Sequence, residues 1–223
     1  MRCCASNGLQ NVRSCSTNRE WQATCIRAGV DSKRIKATPA CRTALLLVDV
    51  INDMVFKGSG PLVKQAEAMA PRLRALKQRA HKAGIPVIYI NDNFGQWRSD
   101  FHSRVDHCLN DDVPGRKVAS ILQPDQDDYF VLKPKNSAFY DTTLDTLLED
   151  LGTERLILTG IAGNNCILFS AHDAYLRDYE LSIPSDCVVS NTRAENSYAL
   201  RQMRKIVKAN VAPSTKLRLG RML

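Results

Sequence analysis

The sequence predicts an α/β fold in which a doubly wound, mostly parallel sheet of six strands carries helices on both faces, in the three-layer manner of Rossmann-like domains. Two observations carry this prediction. Short apolar runs of strand length alternate along the chain with longer segments whose apolar residues recur at helical spacing. The links between these segments are short, and repeated βα units with short links form parallel sheets through right-handed crossovers.

The expected strands are short apolar runs, a pattern typical of strands that are buried on both faces of a parallel sheet. The run Ala44–Val48 and the run Leu156–Leu158 are two examples. Strands are expected at 43–49, 85–90, 128–133, 155–160, 180–184 and 215–219.

The expected helices are indicated by apolar stripes, with prolines near their starts and glycines near their ends. The first helix begins near Pro61, carries apolar residues as far as Ala80 and ends at Gly84. Pro71 either begins a second helical segment or kinks the first. Further helices are expected near 102–110 and at 141–151, 166–178 and 193–208, and a long polar loop occupies 91–101.

The first 40 residues differ in composition from the rest of the chain. They contain four cysteines, show no apolar periodicity and hold seven Lys or Arg against two Asp or Glu, a net charge of +5. We expect a disordered basic extension at 1–40 and one globular domain at 41–223; an organellar targeting segment and a start-site artefact are alternatives for the extension. Cysteines are sparse after Cys41, which suits a reducing, cytoplasmic location better than a disulfide scaffold.

The net charge of +8 does not indicate a nucleic-acid partner, because most of it lies in the extension. The remaining +3 is spread over 183 residues without an RNA-binding signature. No apolar run approaches the roughly 20 residues of a membrane span. We therefore expect a small-molecule partner, with no nucleic acid and no membrane.

Three reactive residue types follow three of the expected strands. Asp49 and Lys133 each close an apolar run, and Cys166 begins a helix just after the run that ends at Thr159. In open parallel sheets, ligands bind at the carboxyl ends of the strands. A helix N-terminus and a nearby lysine favour the thiolate of a cysteine, so the pattern predicts a nucleophile with an acid and a lysine beside it.

Each of these residues also has a structural interpretation. Asp49 can cap the turn that follows it, Cys166 can be a buried structural thiol, and Lys133 can be a solvated strand end with Lys135 as the lysine of the site.

The three segments together resemble the motifs of the isochorismatase-like cysteine hydrolase superfamily, which includes nicotinamidases and N-carbamoylsarcosine amidases. The acid motif corresponds to 49–54, the lysine motif to 133–139 and the nucleophile motif to 160–166, and the resemblance runs from about 43 to 217. Ile51 departs from the pattern, since the family commonly has glutamine there.

The resemblance implies a specific chemistry. Asp49, Lys133 and Cys166 would form a catalytic triad that cleaves an amide, ureido or carbamoyl C–N bond through a thioester. The backbone N–H groups of Ala162 and Cys166 would form an oxyanion hole, and the Ile161–Ala162 peptide would be cis. A homodimer or homotetramer is also implied.

The resemblance leaves alternatives open for the function. True isochorismatases cleave an enol ether without a thiol nucleophile, and a catalytically idle interaction protein on the same fold is a further possibility. Nicotinamidases carry an Asp-x-His metal motif, but the matching stretch here is Asn91-Asp92-Asn93, so we expect no metal and no cofactor. The expected substrate pocket contains polar and aromatic residues: Asn52, Asn93, Phe94, Trp97, Phe139, Tyr140 and Asn165.

Overall fold

The computed structural model describes residues 42–93 and 101–219, which form the predicted α/β fold around a parallel sheet. The strand order is β3-β2-β1-β4-β5, and a short β6 pairs with the end of β4. All pairings between these strands are parallel. The strands are β1 (Thr43–Val48), β2 (Val87–Asp92), β3 (Tyr129–Lys133), β4 (Arg155–Ile161), β5 (Glu180–Ser182) and β6 (Val188–Val189).

The helices connect successive strands and cover the sheet. They are α1 (Gly60–Lys82), α2 (Phe101–Asn110), α3 (Arg116–Ile121), α4 (Leu144–Asp150), α5 (Cys166–Tyr175) and α6 (Arg193–Lys205), followed by a 3₁₀ turn at Ser214–Lys216. None of the described helices has the length and apolar character needed to cross a membrane.

The helices lie on both faces of the sheet because the side chains of β1 alternate between two cores. Leu45 and Leu47 pack in a cluster with residues of α1, α2 and α3. Ala44, Leu46 and Val48 pack in a second cluster with residues of α4, α5 and α6. Every residue of β1 is buried, as expected for a central parallel strand. The prediction of a doubly wound, three-layer fold is therefore confirmed.

The sixth strand is the element that was predicted wrongly. Residues 214–216 form the 3₁₀ turn instead of a strand at 215–219, and the sixth strand is β6, which is only two residues long. Two apolar residues after Cys187 are too short a run to be recognised as a strand. The six-residue helix α3 was also not predicted. Pro71 lies inside α1, which is one helix, so it does not begin a second one.

The winding of the sheet reverses between β1 and β4. From β1 the chain proceeds to β2 and β3 on one side, whereas β4 leads to β5 on the other. The carboxyl ends of two such strands form a crevice, because their following segments leave in opposite directions. Asp49 follows β1 and Ile161 ends β4, so two of the predicted motifs border this crevice.

Candidate active site

Asp49, Lys133 and Cys166 lie together at the carboxyl edge of the sheet. Lys133 Nζ is 2.9 Å from Asp49 Oδ2 and 3.7 Å from Cys166 Sγ. Asp49 and Cys166 also lie close enough for each to change the pKa of the other. Each residue belongs to a different βα unit, so only the parallel sheet brings the three side chains into contact.

Asp49 is held in place through both its backbone and its carboxylate. Its N–H donates to the Ile90 carbonyl at 2.8 Å, and its Oδ1 accepts from the Asp92 N–H at 2.9 Å. Its φ is 53°, in the left-handed region that few non-glycine residues adopt. The side chain is therefore fixed in the crevice rather than turned outward as a simple turn cap.

Lys133 is the buried lysine of its segment, whereas Lys135 is exposed. Lys133 has 0% exposure although it carries an ammonium group. Such burial requires acceptors, and Nζ has them: the Asp49 carboxylate, the Lys135 carbonyl at 3.1 Å and Asp92 Oδ2 at 3.6 Å. These contacts favour Lys133 over Lys135 as the lysine of the site.

Cys166 is the first residue of α5, and its side chain is partly exposed. The backbone N–H of Ala162 lies close enough to its sulfur to lower the pKa of the thiol. The first backbone hydrogen bond of the turn runs from the Ile167 N–H to the Ala162 carbonyl, at 3.1 Å. Within 42–93 and 101–219, the N–H of Cys166 donates to no carbonyl. It can therefore donate a hydrogen bond to a ligand at the N-terminus of α5.

The turn from β4 into α5 depends on close backbone approaches. The Ile161–Ala162 peptide is cis. Gly160 has φ +112°, and a Cβ placed there would lie 2.1 Å from the Val48 carbonyl oxygen. Only glycine allows the ends of β1 and β4 to approach this closely. This approach brings the nucleophile turn next to Asp49.

Burial changes the proton affinities of the site. Burial raises the pKa of Asp49, and the nearby Lys133 ammonium, together with hydrogen bonds, lowers it only in part. Burial opposes the charge on Lys133, but Asp49, Cys166 and Asp92 outweigh it and raise the pKa of Lys133. The ammonium therefore stays charged.

The expectation that Lys133 and the helix N-terminus favour a resting thiolate needs correction. Burial, and then the charge of Asp49, raise the pKa of Cys166 to about 12. The Lys133 ammonium lowers it, but this effect is the smaller one. Ionisation of the thiol is therefore unfavourable in the resting site, and a base must remove its proton before the sulfur can attack.

The residues expected to line the pocket occupy different places. Asn52 and Asn93 are buried near the ends of β1 and β2. Asn165 immediately precedes Cys166, and its Oδ1 accepts a hydrogen bond from Asn136. Tyr140 is 53% exposed. Phe94 and Trp97 lie outside the described residues.

Phe139 does not line the site. Its side chain is 3% exposed, and its ring packs against Tyr179 and under the Arg177 guanidinium. Arg177 lies beyond the C-terminal end of α5, whereas Cys166 lies at the N-terminal end. The segment that contains Phe139 follows α5 away from the sheet edge, so this aromatic ring belongs to the core.

Asp92 is a further charged residue of the site, although the sequence does not predict its contact with Lys133. It ends β2, is paired in register with Lys133, and places its Oδ2 3.6 Å from Lys133 Nζ. The rule that identified Asp49 and Lys133, a charged residue at the end of an apolar strand, also applies to Asp92. Lys133 therefore has two carboxylates beside it.

The two histidines that follow Asp92 along the chain have other neighbours. His107 pairs with Asp53 and Asp111, and the ring of His102 lies against Phe101 and Phe130. In the described part of the chain, no group of three ligand-type side chains includes Asp92.

One group with the geometry of metal ligands occurs at the opposite edge of the sheet. It consists of His81, Asp125 and Asp128. The Lys77 ammonium already lies 2.7 Å from Asp128 and 3.0 Å from Asp125, so a cation is present among these carboxylates.

Comparison with known proteins identifies the family. Residues 43–215 match the isochorismatase domain. The uncharacterized isochorismatase family protein YaaI of Bacillus subtilis is 42% identical over 168 residues, which cover 75% of this chain and 92% of that protein. A probable inactive nicotinamidase of Arabidopsis thaliana is 27% identical over 174 residues, covering 74% of this chain and 89% of that protein.

The fold is shared with solved structures as well. The N-carbamoylsarcosine amidase from Thermoplasma acidophilum has a TM-score of 0.62 at 24% identity, covering 79% of this chain and 98% of that chain. The family match spans most of the described residues, and it includes all three of the predicted motifs. The chain belongs to the isochorismatase-like hydrolase family.

Proposed function

We propose that the protein is a cysteine hydrolase that cleaves an amide, ureido or carbamoyl C–N bond of a small molecule. The observation that carries this proposal is the contact of Lys133 with both Asp49 and Cys166, at 2.9 and 3.7 Å. A carboxylate of raised pKa beside a thiol is the arrangement that proton transfer from sulfur to oxygen requires. The Lys133 ammonium stabilises the thiolate that results.

The first half of the reaction forms a thioester. Asp49 takes the proton of the Cys166 thiol, and the thiolate attacks the carbonyl carbon of the substrate to form a C–S bond. The tetrahedral intermediate carries its negative charge on the former carbonyl oxygen. Protonated Asp49 then gives its proton to the departing nitrogen as the C–N bond breaks, and the amine or ammonia leaves.

The second half hydrolyses the thioester. Asp49, again a carboxylate, takes a proton from water while the water oxygen attacks the thioester carbon. The C–S bond breaks, the acid product leaves, and the Cys166 sulfur regains a proton from Asp49. Each proton taken up by Asp49 is returned, so one group acts alternately as base and acid.

Two backbone N–H groups are suited to hold the oxyanion. The Ala162 N–H lies close to the Cys166 sulfur, and the Cys166 N–H, at the start of α5, has no carbonyl acceptor in the described residues. Donors fixed by the backbone stabilise developing charge without reorganisation, and each contributes about 3–4 kcal/mol in comparable sites. The cis Ile161–Ala162 peptide belongs to the same turn.

The cysteine favours C–N hydrolysis over the thiol-independent cleavage of an enol ether. An ether hydrolase has no use for a sulfur that the Ala162 N–H and the Lys133 ammonium both contact. We further propose that the reaction needs no metal, since the stretch Asn91-Asp92-Asn93 lacks the histidine of the Asp-x-His motif that nicotinamidases carry. We also propose, by resemblance, that the active form is a homodimer or homotetramer, and the sparse cysteines after Cys41 favour a cytoplasmic location.

The name of the Arabidopsis relative, a probable inactive nicotinamidase, supports a second candidate: a catalytically idle protein on this fold. In such a protein, Asp49, Lys133 and Cys166 would be retained without turnover. The buried Lys133, stabilised by two carboxylates and a thiol, is a costly arrangement for a protein without chemistry.

The experiment that tests the proposal is a panel of small amides, ureas and carbamoyl compounds scored by ammonia release. Wild type and Cys166→Ala are compared, with isochorismate as the ether substrate. Release of ammonia by the wild type alone, with a mass adduct on Cys166 after rapid quenching, supports the cysteine hydrolase. Full activity of Cys166→Ala on isochorismate contradicts it, and no turnover of any compound favours the idle protein.

A further inference from the structure

The segment that follows Lys133 is bonded to α5 at three consecutive residues. We call residues 135–138 the lysine strap. Asn136 Nδ2 donates to Asn165 Oδ1, Ser137 Oγ donates to Asp173 Oδ2, and the Ala138 N–H donates to Ser170 Oγ at 2.9 Å. The acceptors lie at the start, the middle and the far half of the helix. The strap therefore lies along the helix that carries the nucleophile.

Among the three residues that accept hydrogen bonds from the strap, Ser170 is the buried one. It has 0% exposure, and its Oγ also donates to the Cys166 carbonyl at 2.7 Å. A hydroxyl has one donor and two acceptor lone pairs, so both hydrogen bonds form at once. One side chain thus joins the backbone of the nucleophile to the backbone of the strap.

A serine that donates to the carbonyl four residues earlier is common in helices and by itself has only local effects. Ser120 shows this ordinary case: its Oγ donates to the Arg116 carbonyl at 2.8 Å, and its side chain makes no other hydrogen bond within the described chain. Ser170 differs because it also accepts from Ala138, which is fully buried. Without the hydroxyl, the Ala138 N–H would lose its acceptor in a dry environment.

The strap in turn holds the ammonium of the site. Lys133 Nζ donates to the Lys135 carbonyl at 3.1 Å, so the position of the strap fixes one of the oxygen atoms around that nitrogen. The same nitrogen lies 3.7 Å from Cys166 Sγ. The Cys166 carbonyl is thus linked to the Lys133 ammonium in three steps. Hydrogen bonds join the carbonyl to Ser170 and Ser170 to the Ala138 N–H, the backbone of the strap leads back to Lys135, and the Lys135 carbonyl accepts from the ammonium.

We propose that Ser170, with Asp173 as a second contact, is a positioning residue that holds Lys133 against the Cys166 sulfur by fixing the lysine strap to α5. This inference rests on the proposed function for its catalytic meaning, but its physical content concerns the reactivity of the Cys166 thiol and requires no substrate. Loss of the hydroxyl should leave the triad residues intact and move the ammonium away from the sulfur.

The test compares Ser170→Ala with Ser120→Ala, which removes the same local hydrogen bond without a strap. The rate of Cys166 alkylation by iodoacetamide is measured at pH 8, with the melting temperature as the measure of folding. Ser170→Ala should slow alkylation by about tenfold, the effect of raising the thiol pKa by one. Ser120→Ala should leave the rate unchanged. A fall in melting temperature with an unchanged rate for Ser170→Ala would make the residue merely structural and overturn the proposal.

A double-mutant cycle shows whether the effect passes through the ammonium. In a Lys133→Met background, which keeps side-chain length but removes the charge, Ser170→Ala should have little further effect on alkylation. Additive effects contradict the proposal. If Ser170→Ala does not fold, Asp173→Asn replaces it, because this variant weakens the more exposed contact of the strap. An unchanged alkylation rate in Asp173→Asn overturns the proposal, whereas failure of the hydrolase assay alone contradicts only the proposed function.

Discussion

Replacing Asp49 with asparagine should change the two reactivities of Cys166 in opposite directions. In the wild type, burial and the Asp49 charge raise the pKa of the thiol to about 12. Asp49→Asn removes that charge and leaves the Lys133 ammonium 3.7 Å from the sulfur, so the thiolate forms more readily. The same change removes the group that carries protons in the proposed mechanism. Alkylation should therefore become faster while turnover becomes slower.

The size of each change can be estimated from what Asp49 contributes to the site. A neighbouring charge changes a pKa by about one to three, so alkylation of Asp49→Asn at pH 8 should be at least about tenfold faster than that of wild type. Turnover should fall by roughly 10²–10⁴-fold, the usual contribution of general acid–base catalysis.

The assay uses iodoacetamide at pH 8 with peptide mapping, together with kcat on a substrate found in the panel. Cys108 and Cys187 are fully buried and serve as internal controls that should remain unlabelled. Asp53→Asn is the matched variant, since its carboxylate lies beside His107 and the Val55 N–H rather than Lys133, and both rates should stay unchanged. Equal slowing of alkylation and turnover in Asp49→Asn would refute the reasoning, because it would mean that the carboxylate promotes the resting thiolate.

Three further predictions concern pH and stability. In the wild type, kcat/KM should fall as the pH drops below the pKa of Asp49, because the protonated carboxyl group cannot act as a base. Burial raises this pKa above the ordinary carboxyl value. A pH–rate profile without such a fall at acid pH would contradict Asp49 as the base. Lys77→Met should lower the free energy of unfolding by about 3 kcal/mol in urea titrations, because Asp128, whose side chain is 2% exposed, loses its ammonium partner. A change below about 1 kcal/mol would show that solvent replaces the lost interaction. Gly160→Ala should fail to fold or melt far below the wild type, since its Cβ would lie 2.1 Å from the Val48 carbonyl oxygen. A melting curve like that of the wild type would show that the ends of β1 and β4 can separate.

The grouping of the triad was predictable from the sequence because it depends on a general property of parallel sheets. A residue that closes a buried strand must lie at the carboxyl edge, so Asp49 and Lys133 converge once their strands are recognised. Cys166 follows by the same rule, as the first residue of the helix after β4. The same rule applies to Asp92, which closes β2 and lies beside Lys133.

Weak local patterns explain the elements that were missed. A strand of two residues, Val188–Val189, has no periodicity to recognise, and it forms because the end of β4 offers unpaired backbone groups there. The aromatic character of Phe139 indicates burial but not where the ring is buried. Its place beside Tyr179 depends on the direction in which the strap leaves β3, which is a property of the packed helices.

The amino-acid sequence by itself determined the fold class, the strand ends that carry the reactive groups, and the family to which the chain belongs. Only the tertiary structure decided the protonation of the site. Whether Cys166 rests as a thiol depends on how much solvent the surrounding elements exclude and on the distance of each charge, and burial outweighs the Lys133 ammonium here. The contacts of Ser170 were likewise decided in three dimensions, because its second hydrogen bond reaches a segment 32 residues away along the chain. The order of apolar and polar residues can be read along the chain, because it is a local property. The dielectric environment of a group and its hydrogen-bond partners depend on how the whole chain packs.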